Sequence, residues 1–250
     1  TGNVHFYKTL GDTIFKGRLT PSILEPDNYP SRIIEAGSYQ PWKKSDNYNQ
    51  KNMPDTLLKK IEEMETTAFV VVHRDSLLYE QYWDSFSDTT LSNSWSAAKS
   101  YISMLVGIAI REGKIKSIDD KVGDYLSKFT QGDNNSKLTI KHLLTMTSGI
   151  TYGEQYMNPF GFMAKALYGN DVKNITLKED VVYQPGTNWK YQGGNTILLS
   201  LILKEATGMP VSEYFSKKLW QPIGAKQNAL WSLDHQDGNE KGYCCVFSDA

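Results

Sequence analysis

The stretch Ala97 to Gly113, "AAKSYISMLVGIAIREG", restricts the fold more than any other part of this sequence. Ile102, Leu105, Val106, Ala109 and Ile110 recur at helical spacing, and Met104 and Ile108 extend the apolar surface nearly all round. A helix without a polar face belongs inside the molecule, so this one is expected to be central and buried. Gly113 is placed to stop it. The remaining chain has to wrap a core around it, and 250 residues suffice for one large domain or two interleaved lobes.

The flanking segments indicate what does the wrapping. Residues 1–54 are rich in Pro, Asn, Ser and Tyr without periodicity, as in "EPDNYPSR" and "KSDNYNQKN". They read as an irregular leading segment laid over a main body that runs from 55 to 250. Pro54 opens a helix over Asp55 to Glu65, with Leu57, Leu58, Ile61 and Met64 on one face. Ala68–Val72 and Leu77–Tyr82 flank the turn candidate Arg74-Asp75-Ser76 as a hairpin. Further on, Thr139 can cap "IKHLLTM", and "GGNTILLSLILKEATG" is a second strongly apolar helix, stopped by Gly208. Pro210 starts another. An early hairpin followed by mostly helical chain predicts an α+β fold, a helical lobe packed on an antiparallel sheet.

Composition removes several classes of function. A formal net charge of -1 with intermixed signs gives no electrostatic reason for a nucleic-acid or anionic-membrane partner. No run reaches the roughly 18 apolar residues of a transmembrane segment. The four histidines (His5, His73, His142, His235) are scattered, and the only cysteines are the neighbours Cys244 and Cys245. Adjacent cysteines rarely bridge each other, so no disulfide framework, thiolate cluster, metal or other cofactor is expected. The first residues show no leader peptide. The expected location is the periplasm or envelope of a bacterium, a leader having been removed, with the cytoplasm as the alternative.

Chemistry points to "SNSWSAAKSY", residues 92–101. Ser96 and Lys99 lie three apart, on one face of a helix that starts near Ser96. Unpaired N–H groups and the dipole at such a helix start stabilise developing negative charge, which suits acyl transfer. A lysine accepts a proton there only where burial or a neighbouring positive charge favours its neutral form. A serine at a helix start is also an ordinary cap, so the pair alone leaves both readings open. The rival Gly-x-Ser-x-Gly elbow is absent. A second element, "QPGTNWKYQGGN", sets Tyr191 on a Pro-Gly turn just before a glycine pair and the second apolar helix. Held against Ser96 and Lys99, it can serve as general base; alone, it can equally be a packed tyrosine.

Taken together, Ser-x-x-Lys heading an apolar helix, "HLLTMTSGI", and "PGTNWKYQGGNTILLSLILKEATG" resemble the serine β-lactamase and penicillin-binding-protein superfamily. The class C-like branch is the nearest in pattern, a branch that includes esterases, D-amino-acid peptidases and 6-aminohexanoate-oligomer hydrolases. The resemblance runs from about Leu57 to Ala250. It implies a serine hydrolase acting on a small amide or ester through an acyl-enzyme, with Ser96 as nucleophile, Lys99 as its proton partner and Tyr191 as base or acid. Gly193, Asn195 and Tyr152 are the candidates for substrate contact. Two departures stand out: Gly193 occupies the place of the family's polar third residue in Tyr-x-Asn, and no Lys- or His-x-Gly follows Tyr191 in a strand-like context. The late strands of the sheet are therefore expected to be missing, with a further C-terminal segment completing it. A catalytically impaired binding or sensor protein is the alternative reading.

Overall fold

The computed structural model describes residues 4–18, 20–156 and 158–249, so Thr1 and Ala250, the outer limits of the two-part division, lie outside the described residues. The chain opens with α1 (Val4–Asp12), β1 (Ser31–Ile34) and β2 (Lys43–Lys44). It continues through α2 (Asp55–Glu63), β3 (Ala68–His73), β4 (Ser76–Tyr82), β5 (Ser92–Asn93) and α3 (Ala98–Arg111). A run of shorter helices follows: α4 (Ile140–Leu144), α5 (Phe162–Tyr168) and α6 (Val172–Leu177). Then come α7 (Gly193–Thr207), α8 (Val211–Phe215), β6 (Ala229–Ser232) and β7 (Val246–Ser248).

Local signals act where the sequence placed them. Arg74 and Asp75 take φ of 49° and 57°, the two left-handed residues that let a tight turn follow the twist of β3 and β4. The Thr139 hydroxyl accepts from the His142 N–H, and the His142 ring faces back toward the Thr139 N–H, closing a capping box on α4. Gly208 ends α7 at φ 70°, and its N–H donates to the Lys204 carbonyl.

The architecture is α+β, helices packed on an antiparallel sheet of order β1-β6-β7-β5. Ile34, Ala229, Trp231 and Val246 turn from this sheet into the core, where they join residues of α3, α7 and α8. Trp231 meets the Phe215 ring edge-on at 5.6 Å. Every residue of α7 from Gly193 to Leu203 is buried. This corrects the expectation for α3, which buries Ala98, Ile102, Leu105, Val106 and Ala109 while Ser103, Met104 and Gly107 stay exposed. Serine and glycine break the apolar surface of α3 on that side, whereas on α7 the Asn195 and Ser200 side chains are hydrogen-bonded internally, to Ser148 and to the Ile197 carbonyl; α7 is the central helix.

Three further expectations are corrected. The leading segment is not irregular: α1 packs on α5, and β1 is an edge strand of the main sheet. A four-residue strand whose partner lies about two hundred residues away leaves no local period to read. The early hairpin does not join the late strands. It pairs instead with β2 in a separate three-stranded sheet, and Val70 and Val72 remain 41% and 42% exposed. Finally, Cys244 and Cys245 are bonded to each other, with Cys245 at φ 69°. The bond is local and ties no distant parts together.

Candidate active site

The nucleophile candidate sits where the sheet hands over to α3. Ser94 N–H donates to the Val246 carbonyl at 2.8 Å, pinning the segment to β7, and Trp95 N–H donates to Asn93 Oδ1 at 2.9 Å. Trp95 is held at φ 42°, a conformation that a bulky side chain rarely adopts. The chain then makes one tight turn over Trp95–Ala97, with Ser96 exposed on it, before α3 begins at Ala98. One turn on, Lys99 Nζ donates to Ser96 Oγ at 3.0 Å and to the Tyr243 carbonyl at 2.9 Å. The second bond fixes the ammonium from the opposite side, through the loop that leads into β7.

Tyr191 approaches from the turn that precedes α7. Lys190 N–H donates to the Met146 carbonyl at 2.8 Å, and the Gln192 side chain clasps the neighbouring segment twice. Its Nε2 donates to the Ile150 carbonyl at 2.6 Å, and its Oε1 accepts from Tyr152 N–H at 2.9 Å. The Lys99 ammonium lies 5.0 Å from the centre of the Tyr191 ring and 5.5 Å from that of Tyr243. Cations over an aromatic face are attracted by its quadrupole. Ser96, Lys99 and Tyr191 line one cavity of about 260 Å³ with Ser100, Ser103 and Met146. The exposed side of α3 is thus a wall of this cavity. A second cleft of about 390 Å³, flanked by Tyr183 and Trp189, shares Met146 with the first.

Gly193, Asn195 and Tyr152, the residues expected to touch substrate, are not among those that line this cavity. Asn195 is fully buried, its Oδ1 accepting from Ser148 Oγ at 2.7 Å and its Nδ2 facing Met146 Sδ at 3.5 Å. Tyr152 is 4% exposed and stacks at a tilt on Phe162, ring centres 4.7 Å apart. Gly193 is buried at the start of α7, where a Cβ would come within 3.1 Å of both Glu154 Oε1 and the Tyr243 ring. A side chain there would require both neighbours to give by a few tenths of an ångström. Nearby, Tyr156 and Phe160 are exposed, and Phe160 is stacked against Phe6.

Sequence reading missed Glu154, Met146, Gln192 and the Tyr243 carbonyl. Met146 and Gln192 lie inside the quoted motifs without a role read from them, and nothing in the sequence pattern marks Glu154 or the Tyr243 carbonyl. Glu154 is half-buried and accepts from the Gly193 N–H, and Tyr156 Oη donates to its other oxygen at 3.2 Å. Burial raises its carboxyl above the usual range, opposed by the Gly193 N–H, Tyr156 and the Lys99 charge. His142, the histidine nearest this region in sequence, is lowered by burial and then by Lys121 and Lys141. It serves as a cap. Among the described residues, no three His, Cys, Asp or Glu side chains converge to hold a metal ion.

Comparison with known proteins gives a consistent picture. The family model described as Beta-lactamase matches residues 55–243. Penicillin-binding protein 4* of Bacillus subtilis is 28% identical over 134 residues, covering 51% of this chain and 28% of that protein. The 6-aminohexanoate-dimer hydrolase of Paenarthrobacter ureafaciens is 26% identical over 193 residues, covering 73% of this chain and 48% of its own length. The chain thus matches about half or less of these relatives. Among solved structures, a Bacillus anthracis protein named "Putative 6-aminohexanoate-dimer hydrolase" superposes with a TM-score of 0.75 at 18% identity, over 91% of this chain and 65% of that one. A class C beta-lactamase mutant gives 0.59 at 15% identity, over 78% and 60%. These structural likenesses establish the fold.

Proposed function

The chain belongs to the beta-lactamase family, a family of hydrolases, and from that premise we propose that it cleaves an amide or ester through a covalent acyl-enzyme at Ser96. The observation that carries the proposal is the Ser96–Lys99 hydrogen bond, at the mouth of a cavity that Tyr191 also lines. Ser96 Oγ attacks the substrate carbonyl carbon, and its proton passes to the Lys99–Tyr191 pair. The tetrahedral oxyanion forms at the head of α3, where backbone N–H groups favour negative charge. On collapse, the bond to the leaving amine or alcohol breaks, and that group takes the proton back from the pair. Water then attacks the Ser96 ester in the same sense, releasing the acid and restoring the hydroxyl.

Lys99 is suited to this cycle because two oxygens hold it, leaving its position fixed while its proton load changes. The absence of a side chain at Gly193, with Asn195 engaged by Ser148, favours simple esters and amides over β-lactams. The same feature favours the second reading, a binding or sensor protein that retains the cleft but not turnover. Relationship to penicillin-binding proteins supports an exported protein. Among the described residues, no helix is long and apolar enough to cross a membrane.

The test is covalent labelling of the full chain with a fluorophosphonate, read by intact mass and peptide mapping. A single adduct at Ser96, lost in Ser96→Ala and strongly reduced in Lys99→Met, is the expected result. No adduct, or one that persists in Ser96→Ala, refutes the acyl-enzyme. An adduct at Ser96 without turnover of any activated ester supports the sensor reading instead.

A further inference from the structure

We propose that Glu154 is a positioning residue for the Ser96 chemistry, its carboxylate holding the Tyr191 turn in place against Lys99. The inference rests on the acyl-enzyme reading for its effect on rate, while the clamp itself is a matter of geometry.

The clamp is built from two segments that have no helix or strand pairing between them. On one side runs the loop 151–155, bent at Gly153 (φ 64°) and closed by the Gln155 N–H to the Gly153 carbonyl, and on the other the segment 184–192 that delivers Tyr191 to the start of α7. Two bonds from the Gln192 side chain fix these segments one residue beyond Tyr191. Glu154 adds a third tie one residue further, accepting the Gly193 N–H. That N–H belongs to the first turn of α7, so it has no acceptor within the helix. The tyrosine is therefore followed by two consecutive residues that are each locked to the same neighbouring strand of chain. A side chain on Gly193 would press on Glu154 Oε1 and on the Tyr243 ring together, so the glycine is what lets the carboxylate come in.

Charge gives the clamp a second function. Glu154 feels the Lys99 charge from α3 and receives the Tyr156 hydroxyl from its own segment. Tyr152 and Tyr243 are buried nearby; burial raises both phenols above the usual range, followed by Glu179 for Tyr152 and Tyr29 for Tyr243, and then by the negative charge of Glu154. Lys99 is the cation among these neighbours. An ionised Glu154 thus offsets the positive charge that the Lys99–Tyr191 pair carries once it has taken the Ser96 proton, and a protonated one does not. Because burial raises the carboxyl above the usual range, protonation starts at a higher pH than for an exposed glutamate. As pH falls, the clamp is expected to weaken before ordinary carboxylates titrate.

Three forms of the full chain separate this from a merely structural role: wild type, Glu154→Gln and Glu154→Ala. The Gln variant keeps an oxygen for the Gly193 N–H but carries no charge; the Ala variant keeps neither. The rate of fluorophosphonate labelling at Ser96 is measured between about pH 4 and 8. Glu154→Ala should lower the rate about tenfold or more near neutral pH, as displacement of a catalytic group does, with the gap to wild type narrowing on the acid side. Glu154→Gln, which keeps the acceptor but not the charge, should recover only part of that loss and should hold its reduced rate without the wild-type fall on the acid side. A Gln profile that superposes on wild type, or an Ala rate that falls only in proportion to thermal stability, overturns the proposal. A wild-type chain that is not labelled at all refutes the acyl-enzyme reading instead. The clamp is then decided by NMR: the Gly193 amide proton should move with the titration of the Glu154 carboxyl, and an amide that stays fixed overturns it.

Discussion

Replacing Gly194 with alanine isolates the contact that sets the position of the Tyr191 turn. Gly194 does not have a positive φ, so alanine meets no backbone penalty there. Helix propensity alone predicts a gain of roughly 0.5–1 kcal/mol for glycine to alanine inside a helix. The tertiary structure predicts the opposite sign. A Cβ at this position falls 2.6 Å from Tyr152 Cγ and closer still to Cδ2 and Cε2. Carbon atoms in contact sit about 3.5–4.0 Å apart, so the ring or the helix start has to move by about 1 Å. The ring cannot swing away easily, since it is 4% exposed and lies against Phe162. Overpacking of this kind costs about 1–3 kcal/mol, and after the propensity gain the net effect of Gly194→Ala is a loss of about 1 kcal/mol. Urea unfolding of the variant checks the magnitude, and a cycle with Tyr152→Ala checks the cause. With the ring removed, the added methyl should be tolerated, giving a coupling of about 1 kcal/mol or more in favour of the double variant. Ser96 labelling of Gly194→Ala should also slow, because Tyr191 lies three residues before the forced shift. A neutral or stabilising Gly194→Ala, or additive behaviour in the cycle, refutes the reasoning.

Other perturbations test the frame around the site. Glu240 is 2% exposed and accepts from Arg32, Ser212 N–H and Ser212 Oγ. Arg32→Ala is expected to cost about 3 kcal/mol by leaving a buried carboxylate without its cation, and Arg32→Met with Glu240→Gln to recover part of it; equal losses in chemical denaturation would show that β1 is not held this way. Burial, then the charge of Lys8, lowers the Lys241 ammonium from 10.5 to about 7, with Asp234 opposing. The unfolded chain then holds the extra proton between those values, so this group lets stability rise as pH climbs from about 7 toward 10.5. Lys241→Met should therefore stabilise more at about pH 6 than at about pH 9.5, and a pH-independent difference between the two midpoints contradicts the assignment. Thr139→Ala removes the cap of α4 and is expected to lower stability by about 1 kcal/mol in thermal melts, with no change where the cap is idle.

What could be read from the chain itself was whatever depends on neighbours in sequence. The hairpin turn at Arg74-Asp75, the cap at Thr139, the stop at Gly208 and the three-residue spacing of Ser96 and Lys99 all belong to this class. Each is enforced within one turn of helix or one tight bend, so local sequence suffices. The order of the motifs then pointed to the family and to helices packed on a sheet.

Burial and convergence were decided only in three dimensions. The apolar pattern of α3 looked central, yet α7 took the core, where Asn195 and Ser200 found internal partners in Ser148 and the Ile197 carbonyl. β1 became a sheet strand through β6, and no local period could announce a partner so far along the chain. Tyr152 and Asn195, chosen for their chemistry, were drawn inward, while Glu154 was brought to the site by a backbone N–H that no side-chain motif encodes. The sequence alone named the nucleophile and its lysine because they share one helix turn. Which carbonyl, carboxylate and ring surround them depended on where four distant segments came to rest against each other.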